Sequence, residues 1–258
     1  MKQTVSLNGY ISRYKTEWDS VLVLASKALP FIDKHYGEYP YKQYSFIQGG
    51  DGGMEYAMAT LLKGPGLGTV FHEWIHSWYQ HILGTNESLF AWMDEGFTSY
   101  GEDDVTHYYE QNFATQSPYI SEAAKKQLTA SIERQASMFP AVQFGNYNGY
   151  LALAKSGFEE PMSTHADHFN TNYAYSNAAY SKGATLLGVL GYVIGDSVRD
   201  AVLLNYYNTW KFKHPNANDF FRVAEKTSGL QLQWLKEYWM NSTKTIDYGL
   251  NDIQAGNN

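Results

Sequence analysis

Along the first third of the chain the apolar positions change period more than once. Residues 15–36, KTEWDSVLVLASKALPFIDKHY, carry apolar side chains at helical spacing, with Pro30 as a candidate kink. GEYPYKQ reads as a turn, and YSFIQ (44–48), rich in aromatic and β-branched residues, reads as a short strand. GGDGGMEYAMATLLKGPGLG (49–68) is a strand-like run bracketed by glycines, which implies unusual backbone conformations or close approach to a ligand.

After Gly68 the pattern becomes helical. Residues 69–82 form a first helix, stopped at Gly84, and 88–110 a second helix or pair of helices. Residues 117–138, SPYISEAAKKQLTASIERQASM, are amphipathic. Residues 141–176 are full of Asn, Gly, His and Tyr and read as loop-rich. Helices over 177–194, 196–212, 217–227 and 230–240 complete the chain, with Asp196 and Asn218 as expected caps. No repeat or linker interrupts the pattern. It predicts an α+β chain: a small sheet-bearing lobe over about residues 1–68, then a mainly helical lobe over about 69–250.

One helix carries candidate chemistry. In TVFHEWIHSWYQHILG, His72 and His76 stand one turn apart on a common face, with Glu73 beside them. Val70, Phe71, Trp74, Ile75 and Trp78 make the same helix apolar on nearly all sides, so His72, Glu73 and His76 are expected to be buried and in need of partners. A metal ion satisfies all three. Catalytic zinc takes three protein ligands and leaves one position open. Glu95, in WMDEGFTSYGE, follows His76 after eighteen intervening residues, embedded between Trp92, Met93 and Phe97. It is the candidate third ligand.

Composition narrows the alternatives. The chain of 258 residues is 44% hydrophobic and 17% charged, an ordinary globular balance. A net charge of −7 without basic clusters argues against nucleic acid or an anionic membrane as partner. With no cysteine, any metal site must be built from His, Asp and Glu. No window reaches the length of a membrane span, and the N-terminus lacks a signal-peptide apolar core. The compartment stays open between cytoplasm and cell envelope.

His72-Glu73-x-x-His76, eighteen residues, then Glu95-Gly96-Phe97-x-x-Tyr100 resembles the gluzincin zinc metallopeptidases, and more narrowly the aminopeptidase N family. The resemblance implies a thermolysin-like catalytic domain over 1–258, with one zinc per chain on His72, His76 and Glu95 and Glu73 as general base. Two further stretches resemble that family. Gly52-Gly53-Met54-Glu55 matches its G-x-M-E motif, which implies an edge strand lining the cleft and Glu55 on the free α-amino group of the substrate. Tyr56 stands where the family usually has Asn, which puts the local hydrogen bonding at that position in question. Tyr180, in Ala179-Tyr180-Ser181-Lys182-Gly183, matches the tyrosine that precedes Lys-Gly and implies an oxyanion donor.

The implied partners are peptides with a free N-terminus. Family members usually carry a β-sandwich before this domain and often a helical domain after it, so further domains of a parent protein are expected. Two alternatives stay open: a thermolysin-like endopeptidase, and an inactive zinc-binding or assembly domain. Glu55 disfavours the first and retention of Glu73 and Tyr180 the second. Thr98 and Ser99, one turn after Glu95, are candidates for orienting the ligands. The loop 162–168, with His165, Asp167 and His168, reads as a polar loop, with a second metal site as the lesser alternative. His35, His81, His107 and His214 are isolated and carry no assignment.

Overall fold

Tyr44 and Phe46 are fully buried and alternate with exposed or half-buried neighbours along Gln43–Gln48, so this strand, β2, lays one face on the core. In a computed structural model, which describes residues 5–10, 18–113, 121–136 and 142–245, β2 belongs to a four-stranded mixed sheet. Its companions are β1 (Ser6–Tyr10), β3 (Gly53–Tyr56) and β4 (Ala59–Leu62), in the order β1-β2-β4-β3. β1 and β4 run parallel to β2, and β3 runs antiparallel to β4 with Glu55 opposite Thr60. β3 is therefore an edge strand, with one backbone row unpaired by any other strand among the described residues.

The glycine-bracketed run at 49–68 thus resolves into a β3–β4 hairpin, with Met58 of its two-residue loop at φ 62°. β1 has no counterpart in the hydrophobic pattern. Its sequence, SLNGY, is too polar and too short to signal a strand, and β2 supplies the pairing that makes it one.

Helix α1 (Asp19–Tyr36) connects β1 to β2 and continues unbroken through Pro30. α2 (Leu67–His76) is the core helix, with Val70, Phe71, Trp74 and Ile75 fully buried. Trp74 meets Phe46 at 5.5 Å and Trp78 at 5.8 Å between ring centroids, which fixes α2 against the sheet. α2 then widens into a π-type turn over Ser77–Ile82. A second such turn, Trp92–Gly96, leads into α3 (Phe97–Asn112). The expected helix at 88–110 is this pair.

α4 (Glu122–Ala136) corresponds to the amphipathic stretch predicted over 117–138, whose outer ends, like residues 15–17 of the first predicted helix, lie outside the described residues. The expectation of loop over 141–176 is corrected. The segment contains α5 (Phe144–Ser156) and the short α6 (Asn172–Ser176). The composition of α5 hides it: only Leu153 is fully buried, and its neighbours include Asn146, Asn148 and Gly149. Tertiary contacts hold it, among them Asn146 donating to Asp103 of α3 at 2.8 Å.

A third π-type turn, Asn177–Lys182, opens α7 (Gly183–Ile194), followed by α8 (Asp196–Trp210), α9 (Ala217–Ser228) and α10 (Gln233–Met240). The predicted caps are displaced. Gly195 precedes α8, and Asp196 is its first residue, paired with Arg199. Asn216, rather than Asn218, caps α9 in a capping box closed by Asp219. Among the described residues no helix is long and apolar enough to cross a membrane.

Candidate metal centre and active site

α2 presents the two histidines on one face, ring centroids 4.9 Å apart, and the Trp92–Gly96 turn brings Glu95 to them. Three atoms converge. Nε2 of His72 lies 3.2 Å from Nε2 of His76 and 3.2 Å from Oε2 of Glu95, and Nε2 of His76 lies 3.3 Å from the same oxygen. Ligands of tetrahedral zinc, about 2.0–2.1 Å from the ion, stand roughly 3.3–3.4 Å apart. The triangle has that size.

The far side of each ring explains why the triangle needs a cation. Nδ1 of His72 lies 2.9 Å from Glu102 and Nδ1 of His76 lies 2.6 Å from Asp94. Carboxylates accept, so each Nδ1 carries the hydrogen, and a neutral ring then turns its Nε2 lone pair inward. Two such lone pairs and a carboxylate oxygen facing one point repel unless protons or a metal stand between them. Burial opposes charge on His72, but the hydrogen bonds that its ring donates to Glu102 and Glu95 outweigh it and hold the ring at about 9. His76 is raised in the same way: burial opposes charge, and Asp94 and Glu95 prevail. Glu95 is lowered, because those rings and Tyr180 overcome its burial. Metal and proton compete for these positions, and the donor set fits zinc. Thr98 adds a hydroxyl 3.3 Å from Nδ1 of His76, whereas among the described residues Ser99, buried on the same helix, makes no hydrogen bond to either ring.

Glu73 is 7% exposed and its Oε2 has no hydrogen-bond partner. Burial pushes its carboxyl up to about 7, with His72 and His76 pulling the other way. Glu55 projects from the edge strand on the same side. One ligand atom each of Glu55, Glu73 and His76 lie within 4.8 Å of one another. Gly53 of β3 leaves the room for Glu73, since a Cβ there would stand against the glutamate's Oε1 and 2.7 Å from its Cδ. Gly52 is open to solvent, and Met54 and Tyr56 point to the other, exposed face of the strand. Tyr56 is therefore turned away from Glu55.

Tyr180 lies on the third π-type turn and donates to Oε1 of Glu95 at 2.6 Å, its ring stacked on His72 at 5.8 Å. Burial first, then the Glu95 carboxylate, raises its phenol far above the usual value, so it stays a donor. Two glycines bring the turns together: a Cβ on Gly96 would stand 2.6 Å from Cα of Gly183. Lys182 anchors the same turn from behind, fully buried and paired with Glu159 at 2.7 Å.

Sequence reading missed Asp94, Glu102 and Glu87 around the centre. Glu102 stands two turns after Glu95, a signal masked by the run Glu102-Asp103-Asp104, which looks like a solvated face. The 162–168 loop forms no metal cluster among the described residues; Nδ1 of His165 instead accepts from the Asp167 backbone at 3.1 Å. His35 stacks on Phe31, His107 pairs with Gln111 and His214 with the Gly84 carbonyl. His81 differs, its buried Nε2 being without a partner.

Comparison with known proteins places these residues in context. Residues 66–239 match the family model described as the peptidase family M1 domain. Aminopeptidase 2 of Candida albicans is 20% identical over 251 residues, covering 90% of this chain and 24% of that protein. Aminopeptidase Q of Felis catus is 24% identical over 151 residues, 58% of this chain and 13% of that protein. The chain thus spans a quarter or less of these relatives. The M1 zinc metallopeptidase of Deinococcus radiodurans superposes with a TM-score of 0.65 at 17% identity, covering 96% of this chain and 50% of that one. A mutant of that enzyme with a Tyr-Ser-Ala substrate bound gives 0.63 at 16% identity, covering 92% and 46%. These likenesses show a shared fold.

Proposed function

Because this chain belongs to peptidase family M1, we propose that it is the catalytic domain of a zinc-dependent aminopeptidase, hydrolysing the N-terminal residue of peptides. The observation that carries the reading is the position of Glu55. Its carboxylate, on the edge strand β3, lies within 4.8 Å of both the Glu73 carboxylate and the His76 ring nitrogen. A peptide pairing with β3 would extend the sheet. Its α-ammonium group would meet Glu55, leaving about one residue's length, roughly 3.5 Å, between that anchor and the reacting carbonyl.

His72, His76 and Glu95 would hold the zinc ion, the outer nitrogens of the two histidines being fixed by Glu102 and Asp94. When bound, zinc supplies Lewis-acid polarisation of the scissile carbonyl and acidifies a water molecule. Glu73, held near 7, takes the water's proton and delivers it to the leaving amine. Tyr180, kept protonated, turns its hydroxyl from Glu95 to the oxygen that becomes negative. The aminopeptidase names and the zinc enzyme among its relatives support the same assignment.

The test is hydrolysis of a panel of aminoacyl-coumarin amides, each with a free and an acetylated N-terminus, by the zinc-loaded protein. Turnover of the free-amine forms alone supports the reading. Turnover of the acetylated forms reassigns the chain as an endopeptidase. No turnover of either, with one zinc bound, reassigns it as a binding domain.

A further inference from the structure

Tyr180 and Lys182 share one backbone turn, Asn177–Lys182, which is wider than an α-helical one. Such π-type turns are rare and gather at functional sites. The turn is held from several sides. Gly96 meets Gly183 just beyond it, and behind it a Cβ on Gly149 of α5 would stand against Oγ of Ser181 and 2.9 Å from its Cβ. Lys182 closes its C-terminal end. The fully buried ammonium donates to Glu159 at 2.7 Å and to the Ser242 carbonyl at 3.3 Å. The rings of Tyr150, on α5, and Trp239, on α10, have their centroids 5.7 and 5.9 Å from it. Nε1 of Trp239 also donates to the backbone carbonyl of Lys182 at 3.3 Å. Both ends of this one residue are therefore gripped by parts of the chain outside the turn.

Stability alone is a poor account of this enclosure. Burying two charges costs solvation, apolar residues often replace such a pair without loss, and its best-attested use is to fix one arrangement. The group within reach to be fixed is Tyr180, half-buried two residues earlier, whose hydroxyl stands 2.6 Å from Oε1 of Glu95. We infer that Lys182, locked to Glu159, is the positioning residue that sets where the Tyr180 hydroxyl stands. The inference rests on the aminopeptidase reading and deepens it. A fully buried ammonium already engaged by a carboxylate does not reach substrate, so its effect on hydrolysis passes through the turn.

The experiment compares Lys182→Met and the pair variant Lys182→Met/Glu159→Gln, which leaves no buried charge unpaired, in the wild-type and the Tyr180→Phe backgrounds. Each zinc-loaded protein is assayed on a free-amine coumarin amide and titrated calorimetrically with a phosphinic dipeptide, a tetrahedral mimic of the reacting carbonyl. Zinc content and melting temperature are measured alongside. With the Tyr180 hydroxyl present, both variants are expected to keep one zinc, to lose about 10–100-fold in kcat and to bind the phosphinate more weakly. In the Tyr180→Phe background the same substitutions are expected to change kcat and affinity by less than about twofold, because the group they act through is gone. An equal loss in both backgrounds overturns the inference, as does a pair variant with unchanged kcat or one that does not fold. Each of these leaves wild-type turnover, and with it the aminopeptidase reading, standing. A wild type without turnover overturns both.

Discussion

Gly53 and Glu73 occupy each other's space. The Cβ that any other residue would bring at position 53 falls against Oε1 of Glu73, 2.7 Å from its Cδ and 2.9 Å from Cγ2 of Thr69. The glycine on the edge strand is the wall that the buried carboxylate leans on. Gly53→Ala therefore pushes Glu73 off its position while leaving the three ligand atoms alone. The expected outcome is a kcat lower by about 10–100-fold with zinc content unchanged, read by steady-state kinetics and metal analysis. Full activity in the alanine variant would show that Glu73 relaxes freely.

Glu73 and Tyr180 separate chemistry from metal binding. Glu73→Gln keeps the size and loses the base, and is expected to bind one zinc with kcat reduced by about 10²–10⁴-fold. Tyr180→Phe removes a donor to the developing oxyanion and is expected to cost about 10²–10³-fold in kcat. A Tyr180→Phe variant with unchanged kcat and raised KM would assign the ring, stacked on His72, to substrate packing instead.

The contact between Gly96 and Gly183 holds Glu95 and Tyr180 in register. Each would place a Cβ within 2.8 Å of the other's Cα. Backbone cannot yield as a side-chain tip does, so Gly183→Ala is expected to destabilise the fold by about 1–3 kcal/mol. It should also weaken zinc binding through Glu95, and chemical denaturation with and without zinc reads both effects. A variant that loses stability without losing zinc affinity would uncouple the glycine pair from the ligand.

Asp103, which is not itself a candidate ligand, supplies a pH signature. Burial first, and then Glu102, pushes its carboxyl up to about 7, with the Asn146 hydrogen bond opposing. The folded state therefore holds the proton more tightly than the unfolded chain, whose carboxyl titrates near 3.9, so this group's contribution to stability falls as pH rises from about 4 to about 7. Asp103→Asn removes the penalty. Its melting temperature is expected to exceed that of wild type at pH 8, and the gap to shrink by pH 5. A gap independent of pH would assign the effect to packing.

Much of the centre was legible because its residues lie in short, local spacings. His72, Glu73 and His76 stand on one helix, and Glu95 follows after eighteen intervening residues. What escaped was set by tertiary contact. Glu102 and Asp94 look like ordinary helix acids until the rings of His72 and His76 turn towards them. α5 has one fully buried side chain, so no apolar stripe announces it. β1 becomes a strand by pairing with β2 and not by its own composition. Asn218 reads as a cap in the sequence, but the capping oxygen belongs to Asn216, two residues earlier, with Asp219 closing the box.

The most direct measurement is a zinc titration of the metal-stripped protein, followed by calorimetry and by recovery of free-amine hydrolysis, beside His76→Ala and Glu95→Ala. The account predicts one tight zinc per wild-type chain, activity restored in step with its binding, and loss of that site in both variants. Zinc binding that survives both substitutions, or activity that persists after stripping, would contradict a catalytic metal held by His72, His76 and Glu95.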